Sequence, residues 1–213
     1  MSILAVDASG ARAGVAVLDE AGAPGFRGFV PGRPGLIETL PGLLQQALAT
    51  TQPRAVAVGI GPGSFTGLRT AIALAQGYAA AADLPLYGVP VAEAFAMAFP
   101  GLRRPLWVAL RARPGRIFLL RGAQAQAFAD ADVPNSPVPV ALAGDAANDV
   151  AARLAASGTD VLLTNARMPD PLWVAQAALA HIQAGRPPQP VQPLYIDAPE
   201  ARLPQGGLRP SPV

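Results

Sequence analysis

The stretch from Ala55 to Ala82 constrains the fold of this chain more than any other, because it joins three structural signals in one continuous run. Residues 55–60 are apolar and rich in β-branched side chains, which predicts a buried strand. A glycine-rich turn follows, and a helix begins at Ser64 or Thr66, either of which is a suitable N-cap. A strand, a glycine-rich turn and a helix N-terminus in this order predict an α/β fold in which the backbone can approach an anion closely.

Two turns of the predicted fold are candidates for phosphate binding. The first is the tip of a hairpin predicted at residues 2–18, and the second is the glycine-rich turn before the helix. An acid at a strand end can orient a metal-bound water, and turn N–H groups can hold phosphate. The structural alternative stays open, because Asp, Ser and Gly also serve ordinary turns, and neither turn matches a P-loop or a dinucleotide-binding motif. The candidates are Asp7, Ser9, Gly10, Gly61, Gly63 and Ser64.

The helix that follows the turn carries small residues at every fourth position: Gly67, Ala71, Ala75 and Ala79. Small side chains on one face allow a second element to approach closely, and the helix is apolar most of the way round. Such a helix is buried on several sides. Burial in the core of its own chain and burial against a second subunit both remain open.

The residue inventory restricts catalysis. The chain has no cysteine and no lysine, and its single histidine, His181, is predicted at a helix surface or boundary. Thiolate metal sites, lysine Schiff bases and ordinary zinc or iron sites are therefore excluded or nearly so, and Ser64 does not sit in a nucleophile-elbow motif. We predict no catalytic residue, no metal and no cofactor. The net charge of +2 comes from scattered arginines, and an RNA-contacting group at Arg111, Arg113 and Arg116 is a minor alternative to a solvated surface.

Strand and helix patterns alternate along the whole chain, which predicts an α/β protein with mixed sheets. Leu36–Ala49 is predicted as an amphipathic helix that Pro41 should shorten or kink. Residues 125–139 are predicted to be loop-rich, and residues 100–105 mark a boundary between a domain at 1–103 and a smaller one at 104–213 that ends in an extended tail. No apolar run is long enough to span a membrane, and the N-terminus has no secretory features, so we expect a cytoplasmic protein.

The motif GIGPGSFTGLRTAIALAQGYA, preceded by AVAV and followed by LPLYGV, resembles the signature of the TsaB (YeaZ) family. The opening ILAVDAS and the later PLYIDAPEARLP resemble the two ends of the same family. The resemblance implies an actin-like ATPase (ASKHA, ribonuclease H-like) fold with two lobes, the second reduced. It also implies a non-catalytic subunit of the bacterial complex that makes N6-threonylcarbamoyladenosine (t6A) at position 37 of tRNA.

The resemblance further implies partners. The family pairs with the catalytic subunit TsaD through its first two helices, and the pair recruits the ATPase TsaE. A homodimer and a monomer both stay open for the free chain; contact with tRNA is expected only indirectly, through the complex, and no contact with a membrane is expected. Carried over to this chain, the interface residues are Leu36, Leu40, Leu43, Leu44, Gly67, Arg69, Ala71, Ile72, Ala75 and Ala79.

The chain departs from the family pattern at three places. It has Arg33-Pro34-Gly35 where a His-Ser-Glu run often enters the first helix, Arg111 where aspartate is common, and Asp197 where arginine is common. These departures bear on partner fit and on contacts with tRNA. The alternative function is a small actin-like ATPase or kinase that uses the two turns, whereas a glycoprotease-type hydrolase has no nucleophile or metal site to support it.

Overall fold

The computed structural model describes residues 1–31, 35–188 and 191–197. The elements of the first half are β1 (Ile3–Asp7), β2 (Arg12–Leu18), β3 (Pro24–Pro31), α1 (Leu36–Leu48), β4 (Ala55–Gly61), α2 (Phe65–Ala82), β5 (Leu86–Pro90) and α3 (Val91–Met97). Those of the second half are β6 (Leu106–Arg113), β7 (Arg116–Arg121), β8 (Gln124–Ala129), a 3-10 helix (Asp130–Asp132), β9 (Val140–Ala143), α4 (Ala147–Ala156), β10 (Val161–Leu163) and α5 (Pro171–Gln183).

The first sheet has the strand order β3-β2-β1-β4-β5. Strand β1 is antiparallel to β2 and parallel to β4, with Ile3 opposite Ala55 and Val6 opposite Val58. Because parallel strands end at the same edge of a sheet, the turn that follows Asp7 and the turn that follows Gly61 lie side by side. This topology brings the two predicted phosphate-binding turns together.

Each face of the first sheet is covered by two helices. Alternation along β1 sends Leu4 and Val6 to the face covered by α1 and α2, and Ile3 and Ala5 to the face covered by α3 and α5. All four side chains have no exposed surface. The sheet therefore forms the centre of a three-layer sandwich.

The second sheet has the order β10-β9-β6-β7-β8, with α4 on one face. Its other face packs on α3, where Phe95 is fully buried and its ring centroid lies 5.6 Å from that of Trp173. Helix α5, which the predicted boundary assigns to residues 104–213, packs on the first sheet. The predicted division at residue 103 separates the two sheets, and the division into domains stays a prediction.

Two local predictions are wrong. Residues 124–129 form β8, although the section was predicted to be loop-rich. Their weak alternation of polar and apolar residues does not indicate a strand, but backbone pairing with β7 stabilises one. Of the two effects predicted for Pro41, the shortening of α1 is wrong, since the helix is continuous from Leu36 to Leu48, and the kink stays a prediction. The missing N–H of Pro41 lies on the exposed side of the helix, while burial of Leu40, Leu43 and Leu44 stabilises the opposite side.

Candidate functional site

The hairpin tip between β1 and β2 places Asp7 and Ser9 in direct contact. The Ser9 hydroxyl lies 2.7 Å from both carboxylate oxygens of Asp7, and the Ser9 N–H donates to the same carboxylate at 3.2 and 3.3 Å. Asp7 is only 3% exposed. The oxygens of this acid are thus engaged by a neighbour in its own turn.

The glycine-rich turn between β4 and α2 packs directly onto this hairpin tip. The Ser64 N–H donates to the Ser9 carbonyl at 2.8 Å, and the Ser64 hydroxyl caps α2 by accepting from Gly67 at 3.3 Å. A Cβ atom at Gly63 would lie 2.2 Å from the Ser9 carbonyl oxygen, and one at Gly67 would lie 2.0 Å from the Ala8 carbonyl oxygen. These glycines are required because the chain's own backbone approaches them, not because a bound group does so.

The structure brings the six predicted phosphate-binding residues to one edge of the sheet. Gly10 lies against Pro169, and Gly61, with a φ of +99°, lies beneath the carbonyl of Leu194. The contact between the turns is lined by the carbonyl oxygens of Ala8 and Ser9. Carbonyl dipoles directed into this contact disfavour an anion, so the geometry supports the tight-turn interpretation over phosphate binding.

A second buried acid, which sequence reasoning missed, stands close to Asp7. Asp170 is 1% exposed, caps α5 by accepting from the Leu172 N–H at 2.9 Å, and forms an ion pair with Arg27 of β3. Burial raises the pKa of Asp7 from 3.8 to about 6; the Ser9 hydrogen bonds oppose this rise and the charge of Asp170 adds to it. The N-cap position before Pro171 was the available sequence signal for Asp170.

We expect the Asp7→Asn substitution to remove a pH-dependent cost of folding. Since the folded-state pKa of Asp7 is raised, the folded protein binds this proton more tightly than the unfolded chain, and its stability falls as pH rises through the interval from 3.8 to about 6. The advantage of the variant in free energy of unfolding should grow by about 2 kcal/mol between about pH 4.5 and about pH 7.5. Urea denaturation at both pH values measures it, with Asp132→Asn as an exposed control. If the variant exceeded the unaltered chain in free energy of unfolding by the same amount at both pH values, the raised pKa of Asp7 would be contradicted.

The predicted partner interface requires correction. Nine of its ten residues are buried within the chain itself, each 6% exposed or less where a value is resolved, and Arg69 alone is exposed. The four-residue repeat that begins at Gly67 faces the strands of the first sheet, because only small side chains fit where α2 crosses the Ala8 backbone. The buried residues are Leu36, Leu40, Leu43, Leu44, Gly67, Ala71, Ile72, Ala75 and Ala79.

The outer face of α2 carries a second series of small residues. Ala73, Gly77 and Ala81 are exposed at four-residue spacing, and a Cβ atom at Gly77 would meet nothing within 4 Å. On the neighbouring helix α1, Ile37 is 62% exposed. We name Ala73, Gly77, Ala81 and Ile37 the outer helical face, because all four are exposed on these two helices.

The single histidine pairs with an acid from another helix. His181 of α5 lies 2.6 Å from Glu93 of α3, measured between Nε2 and Oε2. Among the residues described, no group of three His, Cys, Asp or Glu side chains could hold a metal ion. Cavities of about 510 and 360 Å³ flank Glu93, and no residue of the two turns lines either of them. No helix in the described part of the chain has the length and apolar character needed to cross a bilayer.

The departures from the family pattern fall in ion pairs. Arg111 pairs with Asp149, and Arg116 of β7 donates to both carboxylate oxygens of Asp197, with its Nε 2.9 Å from Oδ2. The Arg116 hydrogen bonds lower the pKa of Asp197. The departure at Arg33-Pro34 lies outside the described residues, as do positions 198–204 of the tail resemblance.

Comparisons with known proteins identify relatives over most of the chain. Residues 24–165 match the family described as "TsaD: tRNA N6-adenosine threonylcarbamoyltransferase". The protein "tRNA threonylcarbamoyladenosine biosynthesis protein TsaB" of Haemophilus influenzae is 46% identical over 56 residues, which cover 26% of this chain and 23% of that protein. Its Escherichia coli counterpart is 38% identical over 94 residues, covering 42% and 40%. Each match spans less than half of the curated relative.

The fold has solved counterparts. YeaZ from Pseudomonas aeruginosa superposes with a TM-score of 0.72 at 21% identity, covering 92% of this chain and 100% of that one. An activator of 2-hydroxyisocaproyl-CoA dehydratase from Clostridium difficile, solved with bound ADPNP, superposes with a TM-score of 0.50 at 9% identity, covering 87% and 97%. These likenesses concern the fold, and they confirm the predicted α/β, actin-like architecture.

Proposed function

We propose a function from the premise that the chain belongs to the TsaD family and, within it, to the TsaB (YeaZ) group. The chain is the non-catalytic subunit that pairs with a TsaD-like threonylcarbamoyltransferase in t6A formation on tRNA. The observation that carries the proposal is the direct packing of the two turns. Where an enzyme of this architecture needs open backbone donors, this chain bonds the Ser64 N–H to its own Ser9 carbonyl.

The acid at the end of β1 is also poorly suited to catalysis. A carboxylate that orients a metal-bound water must be reached by that water, whereas Asp7 is 3% exposed and both of its oxygens already accept from Ser9. Burial raises the pKa of Asp7 to about 6, and Gly59 lies against the carboxylate, with a Cβ atom there only 2.6 Å from Oδ1. These features support a structural role for Asp7.

We place the partner surface on the outer helical face of α1 and α2. A helix that presents alanine and glycine at four-residue spacing lets a partner helix approach closely, so that backbone and side-chain contacts form over the whole length. The family resemblance assigns partner binding to these same two helices. Because the inner series of small residues is buried within the chain, we assign the partner contact to the outer, exposed series.

The remaining roles rest on the family resemblance. The heterodimer would recruit a TsaE-like ATPase, and the same outer helical face would support a homodimer when the catalytic partner is missing. The tRNA is bound chiefly by the complex, in the cytoplasm, where the modification takes place.

Two measurements on the purified chain test the proposal. We expect the chain to form a stable 1:1 complex with its cognate TsaD-like protein in size-exclusion chromatography with light scattering. In calorimetry with ATP and Mg²⁺, the chain alone should give neither stoichiometric binding nor turnover. Turnover by the chain alone would instead support the small ATPase or kinase, and failure to bind the TsaD-like protein would refute the subunit role.

A further inference from the structure

Two adjacent cavities lie along α3. The larger, of about 510 Å³, is lined by residues of α3, β6 and β7, and the smaller, of about 360 Å³, by residues of α3 and of the C-terminal part of α5. Glu93 and Ala96 line both cavities, so the two volumes meet at a single turn of α3. Both volumes lie within the range of about 300–1,000 Å³ that is typical of small-molecule sites.

The larger cavity is mainly apolar. Its walls include Leu106 and Val108 at the start of β6. Arg121 of β7 also lines it, but the guanidinium of this residue already donates to Gln126, and its central carbon lies 5.6 Å from the Trp107 ring centroid. An apolar group of a ligand therefore fits this cavity better than an ionic one.

The smaller cavity is lined by charges of both signs. Oε2 of Glu93 lies 2.6 Å from Nε2 of His181, while no other described residue hydrogen-bonds the second oxygen of this carboxylate, which is 44% exposed. Arg186, just beyond the C-terminus of α5, is exposed, and its guanidinium has no ion-pair partner in the described part of the chain. An available carboxylate oxygen and an available guanidinium thus line the same small volume.

We propose that the two cavities together bind a free α-amino acid with an apolar side chain. Its ammonium group donates to the available oxygen of Glu93, its carboxylate accepts from Arg186, and its side chain passes Ala96 into the larger cavity. Glu93 repels a ligand that is only an anion, and Arg186 repels one that is only a cation, whereas a zwitterion matches both charges. This site does not rest on the proposed function.

Titration of the ¹⁵N-labelled full-length chain with L-leucine, followed through the amide chemical shifts, tests this proposal. We expect saturable shifts in α3, in the C-terminal part of α5 and at the start of β6. Isoamylamine, which lacks the carboxylate, and 4-methylpentanoate, which lacks the ammonium group, should each bind at least about fivefold more weakly than L-leucine. Glycine, which has no side chain to enter the larger cavity, should also bind more weakly.

Four variants assign the contacts. Glu93→Gln and Arg186→Gln should each weaken L-leucine binding at least about fivefold. Because Glu93→Gln also changes the contact between α3 and α5, His181→Gln is measured beside it; this variant keeps the carboxylate and should retain binding. Arg54→Gln, at an exposed arginine just before β4, is the matched control for Arg186 and should bind like the unaltered chain.

The absence of saturable L-leucine binding would overturn the proposal, as would shifts located away from the two cavities. Equally tight binding of L-leucine and both analogues, or an equal loss for Arg186→Gln and Arg54→Gln, would also overturn it. An equal loss for His181→Gln and Glu93→Gln would attribute the effect to the contact between the helices and refute the ammonium site. Failure of the chain to bind the TsaD-like protein would refute the subunit role and leave this site unaffected.

Discussion

The Gly77→Arg variant is expected to lose affinity for the cognate TsaD-like protein by at least about 100-fold while it remains folded. Gly77 lies at the centre of the outer helical face, and no atom of the chain would obstruct a side chain there. The substitution replaces glycine in a helix interior, so the helix itself should gain stability. In a close helix contact, however, the guanidinium would be buried without a partner, at a cost of about 3–5 kcal/mol.

Isothermal calorimetry with the TsaD-like protein measures this loss, and thermal denaturation verifies that the variant is folded. Ala152→Arg is the control, because it introduces the same charge at an exposed alanine of α4 in the second half of the chain. Affinity within a few-fold of the unaltered chain for Gly77→Arg, or an equal loss for both variants, would refute the outer helical face as the partner surface.

The Gly67→Ala variant should lose about 3–5 kcal/mol in free energy of unfolding, although it adds a single methyl group. The added Cβ would lie 2.0 Å from the carbonyl oxygen and 3.1 Å from the carbonyl carbon of Ala8. Both are backbone atoms of the hairpin tip, so no side chain can rotate away. The turn before α2 must separate from the hairpin tip, which also disturbs the hydrogen bond from Ser64 to Ser9.

Chemical denaturation measures this loss against Gly77→Ala as the matched control. Both changes replace glycine by alanine in the same helix, and the intrinsic helix preference should stabilise each by up to about 1 kcal/mol. Only Gly67 meets an obstacle. Equal stability of the two variants would show that the turns are not packed as described.

The sequence was sufficient for features that depend on local chemistry. The strand before Gly61, the Ser64 cap and the helix to Ala82 follow from residue types that act on their neighbours, and the structure confirms them. The choice of helical face did not follow, because α2 carries small residues on both faces. Gly67 and Ala71 on one side look like Ala73 and Gly77 on the other, and only contact with the Ala8 backbone distinguishes them.

Contacts between distant residues were beyond local reasoning. Asp170 caps a helix in the second half yet stands near Asp7, His181 meets Glu93, and Tyr195 meets Arg69 across 126 positions. No periodicity encodes such pairs, since they depend on how helices and the tail cross the first sheet. The candidate phosphate site shows the same limit of local reasoning: the glycines indicated a close approach, but not what approaches.

The most direct test of the account is the rate of t6A formation on tRNA by the reconstituted complex, measured with two variants of this chain. If the chain contributes a binding surface and no catalytic group, Asp7→Asn should support the full rate and Gly77→Arg should support almost none. A complex that assembles normally with Asp7→Asn but fails to modify tRNA would contradict this account, because the acid at the end of β1 would then take part in the reaction.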